Sequence, residues 1–311
     1  MKTVSIVIPV YNEEKNVERA YRELTRVMGS LSRECRYELV FTDNHSTDRT
    51  FEMLSGIAAK DKRVKVLSFS RNFGYQRSIL TGYCNANGDA AIQIDCDLQD
   101  PPDMIPAMIQ KWREGYKVVY GVREHRKESF VMRSVRSLFY RILHYLSEEK
   151  IPVDAGDFRL IDRAVLNELK NLKDAKPYIR GTIAAMGFTQ TGIPYRRDDR
   201  KFGVSKFGLS SLMDLALDGV VNHSVVPLRV ATFIGLTTSV VTFLMIVVYI
   251  IGKIIFDQAW PAGFATTTVL LLLSISLNAI FLGIIGEYLG RIYLQTKQGP
   301  VTIIERTINI R

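Results

Sequence analysis

The stretch Ala90-Ala-Ile-Gln-Ile-Asp95 is a short apolar run, and the polar stretch Cys96-Asp97-Leu-Gln-Asp100 follows it directly. Similar apolar runs recur through the first 120 residues, separated by segments with helical spacing. The predicted strands are Val4–Val10, Tyr37–Thr42, Val64–Phe69, Ala90–Asp95 and Lys117–Tyr120, and the predicted helices are Glu13–Met28, Thr47–Lys60, Gly74–Asn85 and Pro101–Glu114. This alternation predicts an α/β domain, with a mostly parallel sheet between two layers of helices.

The composition excludes several classes of protein. The 311 residues are 47% hydrophobic, which is too apolar for a disordered chain, and three Cys are too few for a disulfide scaffold. The net charge is +9, and basic proteins often bind nucleic acid. The excess positive charge lies outside the apolar segment near the carboxyl end, so a membrane surface or a phosphorylated substrate explains it better. We therefore expect no nucleic-acid partner.

Two long uncharged segments follow the α/β part of the chain. Residues 230–252 and 258–286 contain no charged side chain over 23 and 29 positions. As a helix, the first segment is about 34 Å long, enough to cross a hydrocarbon core of about 30 Å. A pair of buried core helices is the alternative, but such helices rarely exceed about 20 uncharged residues. The pattern predicts a transmembrane hairpin with helices at about 230–252 and 264–286.

The charges around the hairpin predict its orientation. The short link between the helices holds Lys253 and Asp257, and the opposite ends carry a larger set of cations: Arg229, Arg291, Lys297, Arg306 and Arg311. By the positive-inside rule, these ends and the α/β domain lie in the cytoplasm. The predicted boundaries are 1–206 for the cytoplasmic domain, 207–228 for an interfacial helix or linker, 229–290 for the membrane helices and 291–311 for a cytoplasmic tail.

Polar clusters follow four of the predicted strands. They are Tyr11-Asn-Glu13, Asp43-Asn-His-Ser-Thr-Asp48, Arg71-Asn-Phe-Gly74 and Asp95-Cys-Asp-Leu-Gln-Asp100. In sheets of this kind, ligands bind beyond the carboxyl ends of the strands. These four clusters therefore predict one binding rim.

The last cluster offers oxygen ligands for a metal ion. The carboxylates of Asp95 and Asp97 and the amide oxygen of Gln99 suit Mg²⁺ or Mn²⁺, which keep positions open for substrate phosphates. A solvated turn before Pro101 is the alternative, because Asp is common in turns. Asp43, at the end of the second strand, can accept hydrogen bonds from a base or a ribose. A helix N-cap is its alternative role, although Asp48 or Ser46 suits that better.

Two basic segments lie further along the chain. Arg123, Arg126 and Lys127 lead into a predicted helix at 129–147 whose apolar stripe is flanked by Arg133 and Arg136. This helix fits the membrane interface, with its Arg side chains near lipid phosphates, and it fits a helix packed on a core equally well. The second segment, 196–206, includes Arg200 and Lys206. Its cations can bind phosphates, or they form a solvated charge run.

Taken in order, these segments resemble the family 2 glycosyltransferases of GT-A fold. They resemble more closely the polyisoprenyl-phosphate glycosyltransferases, such as dolichyl-phosphate mannose synthase and the bacterial undecaprenyl-phosphate glucosyltransferases. The matching stretches are Val4–Glu13, Ser70–Gly74, Gln93–Pro102, Ala155–Arg159 and Gly286–Tyr293. The resemblance runs nearly from end to end and includes the membrane hairpin.

The resemblance implies an inverting enzyme that transfers a sugar from a nucleotide-diphosphate sugar, with UDP favoured, to a polyisoprenyl phosphate, with undecaprenyl phosphate favoured. It implies Mg²⁺ or Mn²⁺ as cofactor, a multi-pass protein of the inner (cytoplasmic) membrane, and a homo-oligomer. The implied nucleotide-binding residues are Pro9, Tyr11, Glu13, Asp43, Asn72 and Asp95, and the implied metal ligands are Asp95, Asp97 and Gln99. The implied phosphate- or lipid-phosphate-binding residues are Arg123, Arg126, Arg133, Arg136, Arg200 and Lys206. Asp157 and Asp97 carry the implied catalytic roles, Asp157 as a base or an orienting residue near the acceptor.

One segment departs from the family pattern. The family usually reads Asp-Asp-Gly-Ser after the second strand, whereas this chain reads Asp43-Asn44-His45-Ser46. A carboxylate is lost at Asn44, and His45 replaces a glycine, which tolerates positive φ more readily. We therefore expect a different turn here, with an effect on the choice of nucleotide and sugar.

Two other functions are compatible with parts of the sequence. A processive polysaccharide synthase shares the catalytic domain, but it needs more membrane helices and a Gln-X-X-Arg-Trp motif, which precedes neither Trp112 nor Trp260. A non-catalytic membrane scaffold or nucleotide-sugar-binding protein would fit the altered Asp43–Ser46 loop. The intact set of Asp95, Asp97 and Gln99 favours an enzyme.

Overall fold

The computed structural model describes residues 1–124, 155–172, 177–196, 263–296 and 300–310, together with residues 228, 231–238, 240, 241, 244 and 251. The described residues belong to two compact units. The first is an α/β unit that contains all eight described strands and the segment 300–310. The second unit contains the long helix near the carboxyl end of the chain.

The α/β unit is built on one eight-stranded sheet. Its strands are β1 Lys2–Val10, β2 Cys35–Asp43, β3 Val64–Phe69, β4 Ala90–Gln93, β5 Val118–Glu124, β6 Ala155–Asp162, β7 Gln190–Arg196 and β8 Ile304–Ile308. Their order across the sheet is β7-β5-β6-β4-β1-β2-β3-β8. The strand pairs β1–β2, β1–β4, β2–β3 and β5–β7 are parallel, whereas β6 is antiparallel to β4 and β5, and β8 is antiparallel to β3.

Helices cover both faces of the sheet. They are α1 Val17–Ser30, α2 Thr50–Lys60, α3 Tyr75–Cys84, a 3₁₀ turn Pro102–Met104, α4 Ile105–Arg113, α5 Arg163–Lys170 and α6 Ile179–Ala185; α7 Phe264–Thr296 belongs to the second unit. In β1, Ile6 and Ile8 pack with α1, α2 and α4, while Val7 packs with α3, α5 and α6 on the opposite face. Because side chains alternate along a strand, a strand buried on both faces reads as a continuous apolar run.

The predicted α/β architecture is confirmed. Each of the five predicted strands is present, and Ala90–Asp95 is shortened to end at Gln93. The strands β6, β7 and β8 are not among these five. In β7, Gly192 and Pro194 interrupt the apolar pattern, and β8 reads Ile-Glu-Arg-Thr-Ile, with polar residues at its three central positions.

The carboxyl-terminal segment differs from the predicted tail at 291–311. Helix α7 continues to Thr296, and residues 300–310 return to the α/β unit, where β8 pairs with β3. The Ser70 amide donates to the Ile303 carbonyl at 3.0 Å, and the Asn309 side-chain amide donates to two carbonyls, those of Ala58 and Val64, at 2.8 Å each. Residues 304–308 therefore form an edge strand of the sheet.

Helix α7 is the one helix in the described part of the chain that is long and apolar enough to cross a membrane. Its candidate span is Leu273–Gly290, with a mean hydropathy of 1.5 and no residue of this span buried. The predicted helix at 264–286 lies within α7. Residues 231–238 of the predicted helix at 230–252 are helical, but much of that segment lies outside the described residues, and a hairpin is not established. The link and the predicted helix at 129–147 lie outside them as well, and so does the predicted segment 207–228 apart from residue 228.

A buried ion pair joins three strands of the sheet, away from the rim. Glu38 on β2 accepts hydrogen bonds from Lys65 Nζ at 2.6 Å, from the Ser5 hydroxyl at 2.6 Å and from the Asn87 amide at 2.7 Å. Burial opposes the ionisation of Glu38, but the hydrogen bonds from Lys65, Ser5 and Asn87 outweigh it and hold its pKa below the ordinary value of 4.5. The carboxylate is therefore charged at neutral pH.

We expect Glu38→Gln to lower the free energy of unfolding by about 3–5 kcal/mol at pH 7, because it leaves the Lys65 ammonium buried and unpaired. The measurement is denaturant unfolding of the purified protein. Since the folded-state pKa of Glu38 lies below the unfolded value, the contribution is present above about pH 4.5 and is lost as the pH falls through the folded-state pKa. The exposed pair Arg49–Glu52 supplies the control: Glu52→Gln should change stability little, and an equal loss in both variants would contradict the prediction.

Candidate functional site

The first two polar clusters meet at the carboxyl edge of the sheet. The Asn12 amide donates to the Ser46 hydroxyl at 2.9 Å, and the Thr47 amide donates to the Asn12 side chain at 2.8 Å. The Asn44 amide donates to the Val10 carbonyl at 2.9 Å. The loops at this edge are named the rim, and they comprise residues 11–13, 43–48, 70–75 and 94–100. The prediction that these clusters lie at one sheet edge agrees with the parallel pairing of β1, β2, β3 and β4.

The ends of β1 and β2 carry the predicted nucleotide-binding residues. Pro9 is buried at the end of β1, and Tyr11 and Glu13 are half-buried just beyond it. Asp43 is 1% exposed, and its two carboxylate oxygens accept hydrogen bonds from the Ser46 amide at 3.1 Å and the Ser68 hydroxyl at 3.0 Å. The carboxylate is thus fixed in orientation.

Asp48, rather than Asp43, contacts the amino end of α2, although the N-cap position itself is Arg49. Asp48 Oδ1 accepts a hydrogen bond from the Thr50 amide at 3.0 Å, in the first turn of α2. Burial opposes the ionisation of Asp48, but hydrogen bonds from Thr50 and Glu14 outweigh it and lower its pKa. A charged carboxylate at a helix amino terminus is also favoured by the helix dipole. Asp43 remains available as a nucleotide-binding candidate.

The departure from the family pattern has a specific local structure. His45 takes the left-handed conformation, with φ at +62°, so the position keeps a backbone shape that glycine favours. The expected change of turn is not evident at this residue. His45 Nδ1 lies 3.2 Å from the Phe69 carbonyl. Asn44 is buried and bridges to the next loop: its Nδ2 donates to Asn72 Oδ1 at 2.8 Å, and its Oδ1 accepts from the Phe73 amide at 2.8 Å.

The two predicted metal-binding carboxylates follow β4. Asp95 Oδ1 accepts hydrogen bonds from the Tyr75 hydroxyl at 2.6 Å and from Gln93 Nε2 at 2.9 Å. Asp97 is 7% exposed and accepts from the Gln99 amide at 3.2 Å. Leu98, between Asp97 and Gln99, takes a left-handed conformation with φ at +52°, which turns the chain sharply at this point. The turn brings the backbone of Gln99 onto the side chain of Asp97.

Three other carboxylates lie close enough to Asp95 for their charges to oppose its ionisation. Burial, together with the charges of Asp100, Asp97 and Asp157, raises the pKa of Asp95 to about 7. Burial and the charge of Asp95 raise the pKa of the Tyr75 hydroxyl well above its ordinary value, so that Tyr75 is protonated and donates. The rim therefore concentrates negative charge that a cation can offset.

Arg123 is the one predicted phosphate-binding cation among the described residues. It lies near the carboxyl end of β5, where its Nε donates to the Tyr195 hydroxyl at 3.1 Å and its guanidinium lies 3.8 Å from Asp100. The Tyr195 hydroxyl donates to the Asp100 carboxylate. At Gly156, a Cβ would lie 3.0 Å from the Arg123 guanidinium, so glycine permits this close approach. Arg126, Arg133, Arg136, Arg200 and Lys206 lie outside the described residues.

Asp157 lies at the start of β6. Because β6 is antiparallel to β4, its amino end is at the sheet edge where β4 ends. Asp157 Oδ2 lies 3.2 Å from an Arg180 guanidinium nitrogen on α6. Burial opposes ionisation, but the charges of Arg180 and Arg159 outweigh it and lower the pKa of Asp157. The carboxylate is therefore ionised at neutral pH and is a weak base.

The residue types present fit a Mg²⁺ or Mn²⁺ ion that shares its coordination with a substrate. Within the described ranges, no group of three or more His, Cys, Asp or Glu side chains is arranged as a complete metal site. Two carboxylates are nevertheless what such ions commonly take from a protein when phosphate oxygens and water supply the remaining ligands. The raised pKa of Asp95 is consistent with this, because a divalent cation would favour the ionised carboxylate.

Four residues of this site were not predicted from the sequence: Tyr75, Gln93, Arg180 and Tyr195. Tyr75 directly follows the polar cluster Arg71–Gly74, and Gln93 lies in the predicted strand Ala90–Asp95. Their polar groups beside the rim were a usable signal. Arg180 lies 23 positions from Asp157, and Tyr195 lies 95 positions from Asp100, so no local pattern links them.

The fold and the rim define an α/β enzyme with an acidic site at the carboxyl edge of its sheet, and comparison with known proteins identifies the family. The profile described as Glycosyl transferase family 2 matches residues 5–170. The chain therefore belongs to glycosyltransferase family 2, and it is a glycosyltransferase.

The similarity to individual relatives extends over nearly the whole chain. The chain is 41% identical to the uncharacterized glycosyltransferase YkcC of Bacillus subtilis (strain 168), over 98% of this chain and 94% of that protein. It is 35% identical to the SfII prophage-derived bactoprenol glucosyl transferase of Shigella flexneri, over 98% of both chains. Among solved structures, the mannosyltransferase PcManGT from Pyrobaculum calidifontis, in complex with GDP-Man and Mn²⁺, aligns with a TM-score of 0.49 and 14% identity, over 94% of this chain and 86% of that chain.

The left-handed conformation of His45 leads to a stability prediction. We expect His45→Val to be less stable than His45→Gly by about 1–2 kcal/mol, because a branched side chain is strained at positive φ and glycine is not. Denaturant unfolding of the two variants measures this difference directly. Both lose the contact with the Phe69 carbonyl, so the comparison isolates the backbone effect. Equal stability of the two variants would contradict the left-handed conformation.

Proposed function

We propose that this enzyme transfers a sugar from a UDP-sugar to undecaprenyl phosphate, a polyisoprenyl phosphate, and so makes a lipid-linked sugar. The observation that carries the proposal is the similarity to the bactoprenol glucosyl transferase of Shigella flexneri over 98% of both chains. At this coverage the similarity continues beyond the family 2 segment at 5–170 and includes α7. The part of the chain that suits a lipid acceptor is therefore shared with this relative.

The donor would bind at the rim. Pro9, Tyr11, Glu13 and Asp43 would contact the base and ribose, with Asn72 on the next loop. Asp95, Asp97 and Gln99 would hold Mg²⁺ or Mn²⁺ at the diphosphate. A divalent ion bound there offsets the negative charge that develops on the leaving nucleoside diphosphate. Arg123, held against Asp100 and Tyr195, adds a fixed positive charge beside these carboxylates.

The acceptor needs little activation by the protein. A phosphate monoester has a second pKa near 6 and is largely dianionic at neutral pH. The lowered pKa of Asp157 makes its carboxylate a poor proton acceptor, and its pairing with Arg180 keeps it in place. We therefore assign Asp157 the role of orienting the acceptor. A single in-line displacement through an oxocarbenium-like transition state inverts the anomeric carbon.

The membrane topology we propose is a hairpin with the α/β unit in the cytoplasm. The candidate span of α7 is apolar and unburied, unlike the core helix of a soluble protein. The chain leaves the α/β unit before the second unit and returns to it at residues 300–310. A chain with both ends on one side of a bilayer crosses it an even number of times. The uncharged segment 230–252 has the length for the second crossing.

Transfer to lipid gives the main test. Purified protein is incubated with undecaprenyl phosphate, Mg²⁺ or Mn²⁺ and a panel of UDP- and GDP-sugars, and nucleoside diphosphate release and lipid mass are read together. We expect lipid-dependent release, a sugar mass added to the lipid, and loss of at least a hundredfold in rate for Asp97→Ala, because the leaving diphosphate loses its metal-ion support.

The control is Asp103→Ala, which removes an exposed carboxylate that pairs with Arg26 on α1, outside the rim. It should leave the rate unchanged. Nucleotide binding without any turnover across the panel, by a folded protein, would contradict the proposed transfer. Product on a GDP-sugar alone would replace the proposed donor and keep the reaction class.

The topology is tested with single introduced cysteines in intact bacterial cells. We expect Asp257→Cys, in the link, to react with a membrane-impermeant maleimide added outside the cells, and Lys297→Cys to react only after permeabilisation. The natural residues Cys35 and Cys96 are buried in the α/β unit, and the half-buried Cys84 is replaced by Ser in both variants to keep the background low. Labelling of both positions from outside, or of neither, would refute the hairpin.

A further inference from the structure

We infer that Tyr75 is a positioning residue for the donor site, and that Asn44 fixes the loop that carries it. The inference rests on the proposed function, because it concerns the metal-binding carboxylate Asp95. It adds two residues with a defined role, and it gives a structural role to Asn44, where this chain departs from the Asp-Asp-Gly-Ser pattern.

Two hydrogen-bond donors meet one carboxylate oxygen of Asp95. The Tyr75 hydroxyl and Gln93 Nε2 both donate to the same oxygen, Asp95 Oδ1, at 2.6 and 2.9 Å. The two donors also lie 3.1 Å from each other, which closes a triangle. Gln93 is 1% exposed and sits at the end of β4, so it is rigid. Two directed donors on one oxygen fix the rotation of the carboxylate.

Tyr75 is itself positioned by hydrogen bonds to the loop that precedes it. It is the first residue of α3 and follows Gly74, which has φ at +91°. The Gly74 amide donates to Asn72 Oδ1 at 2.8 Å, and the same oxygen accepts from Asn44 Nδ2 at 2.8 Å. The Asn44 Oδ1 accepts from the Phe73 amide at 2.8 Å. Asn44 therefore clamps the backbone immediately before Tyr75 in two ways: directly at the Phe73 amide, and through the Asn72 side chain at the Gly74 amide.

An amide is the group that this clamp requires. Asn44 donates through Nδ2 and accepts through Oδ1, and an ionised Asp can only accept. Asp at position 44 would keep the bond from the Phe73 amide, but it would set a carboxylate oxygen against Asn72 Oδ1. In this chain the amide at position 44 thus holds the backbone at Phe73 and Gly74, next to Tyr75, and the Tyr75 hydroxyl in turn bonds to the carboxylate after β4.

The expected consequence is on metal and donor binding rather than on folding. Groups that orient a metal ligand typically change metal affinity by roughly 10- to 100-fold when removed. Tyr75→Phe removes one oxygen atom and leaves the ring, so Asp95 loses one of its two orienting donors. The matched control is Tyr21→Phe, which removes the same atom from another Tyr–Asp hydrogen bond, 3.1 Å long, between α1 and Asp61.

The experiment titrates the full-length protein with Mn²⁺ in the presence of UDP and, in parallel, GDP, and follows free Mn²⁺ by electron paramagnetic resonance. We expect Tyr75→Phe to bind Mn²⁺ roughly 10- to 100-fold more weakly than wild type, with a raised donor KM and an unfolding midpoint close to wild type. Tyr21→Phe should match wild type in Mn²⁺ affinity. Asn44→Asp, which leaves Tyr75 intact, should weaken Mn²⁺ binding by about tenfold.

The outcomes separate this inference from the proposed function. If wild-type protein fails to bind Mn²⁺ both in the presence of UDP and in the presence of GDP, the proposed donor site is overturned, and this inference with it. Wild-type binding together with unchanged affinity in Tyr75→Phe would overturn the positioning role alone. Unchanged affinity in Asn44→Asp would refute the clamp, and this variant decides the matter if Tyr75→Phe does not fold.

Discussion

The site depends on the crowding of carboxylates at one edge of a parallel sheet. Like charges in a partly buried setting destabilise one another unless cations or hydrogen-bond donors lie beside them. The four carboxylates and their neighbours are Asp95 with Tyr75 and Gln93, Asp97 with the Gln99 amide, Asp100 with Arg123 and Tyr195, and Asp157 with Arg180. Asp95 is held by two neutral donors, the Tyr75 hydroxyl and the Gln93 amide, and its pKa is raised to about 7. A divalent cation beside Asp95 would favour its ionised form.

The strand topology explains how this crowding arises. β1, β2, β3 and β4 run parallel, so the loops that follow them share an edge. β6 runs the other way, which puts its first residues, with Asp157, at the same edge. β5 is antiparallel to β6 and brings Arg123 there at its carboxyl end. The reversed strand β6 thus adds Asp157 from its amino end, and β5, which runs parallel to β4, adds Arg123 from its carboxyl end.

Much of this arrangement could be predicted from the sequence, for a physical reason. Strands buried on both faces are apolar throughout, so they stand out, and the polar residues after them mark the rim. The partners of those residues could not be predicted, because Arg180 and Tyr195 reach the rim only through the tertiary fold. β8 escaped prediction because an edge strand needs few apolar residues. At position 44 the departure itself was visible, but its hydrogen-bond partners Asn72 and Phe73 were not.

The return of β8 to the sheet bears on how the protein is made. During synthesis, β1 to β7 and α7 leave the ribosome before residues 304–308, so β3 remains an open edge until β8 has been made. An open strand edge is a template for wrong pairing with other chains. The edge is covered only when the chain after α7 brings residues 304–308 to β3. Completion of the sheet therefore depends on α7, the segment that precedes β8.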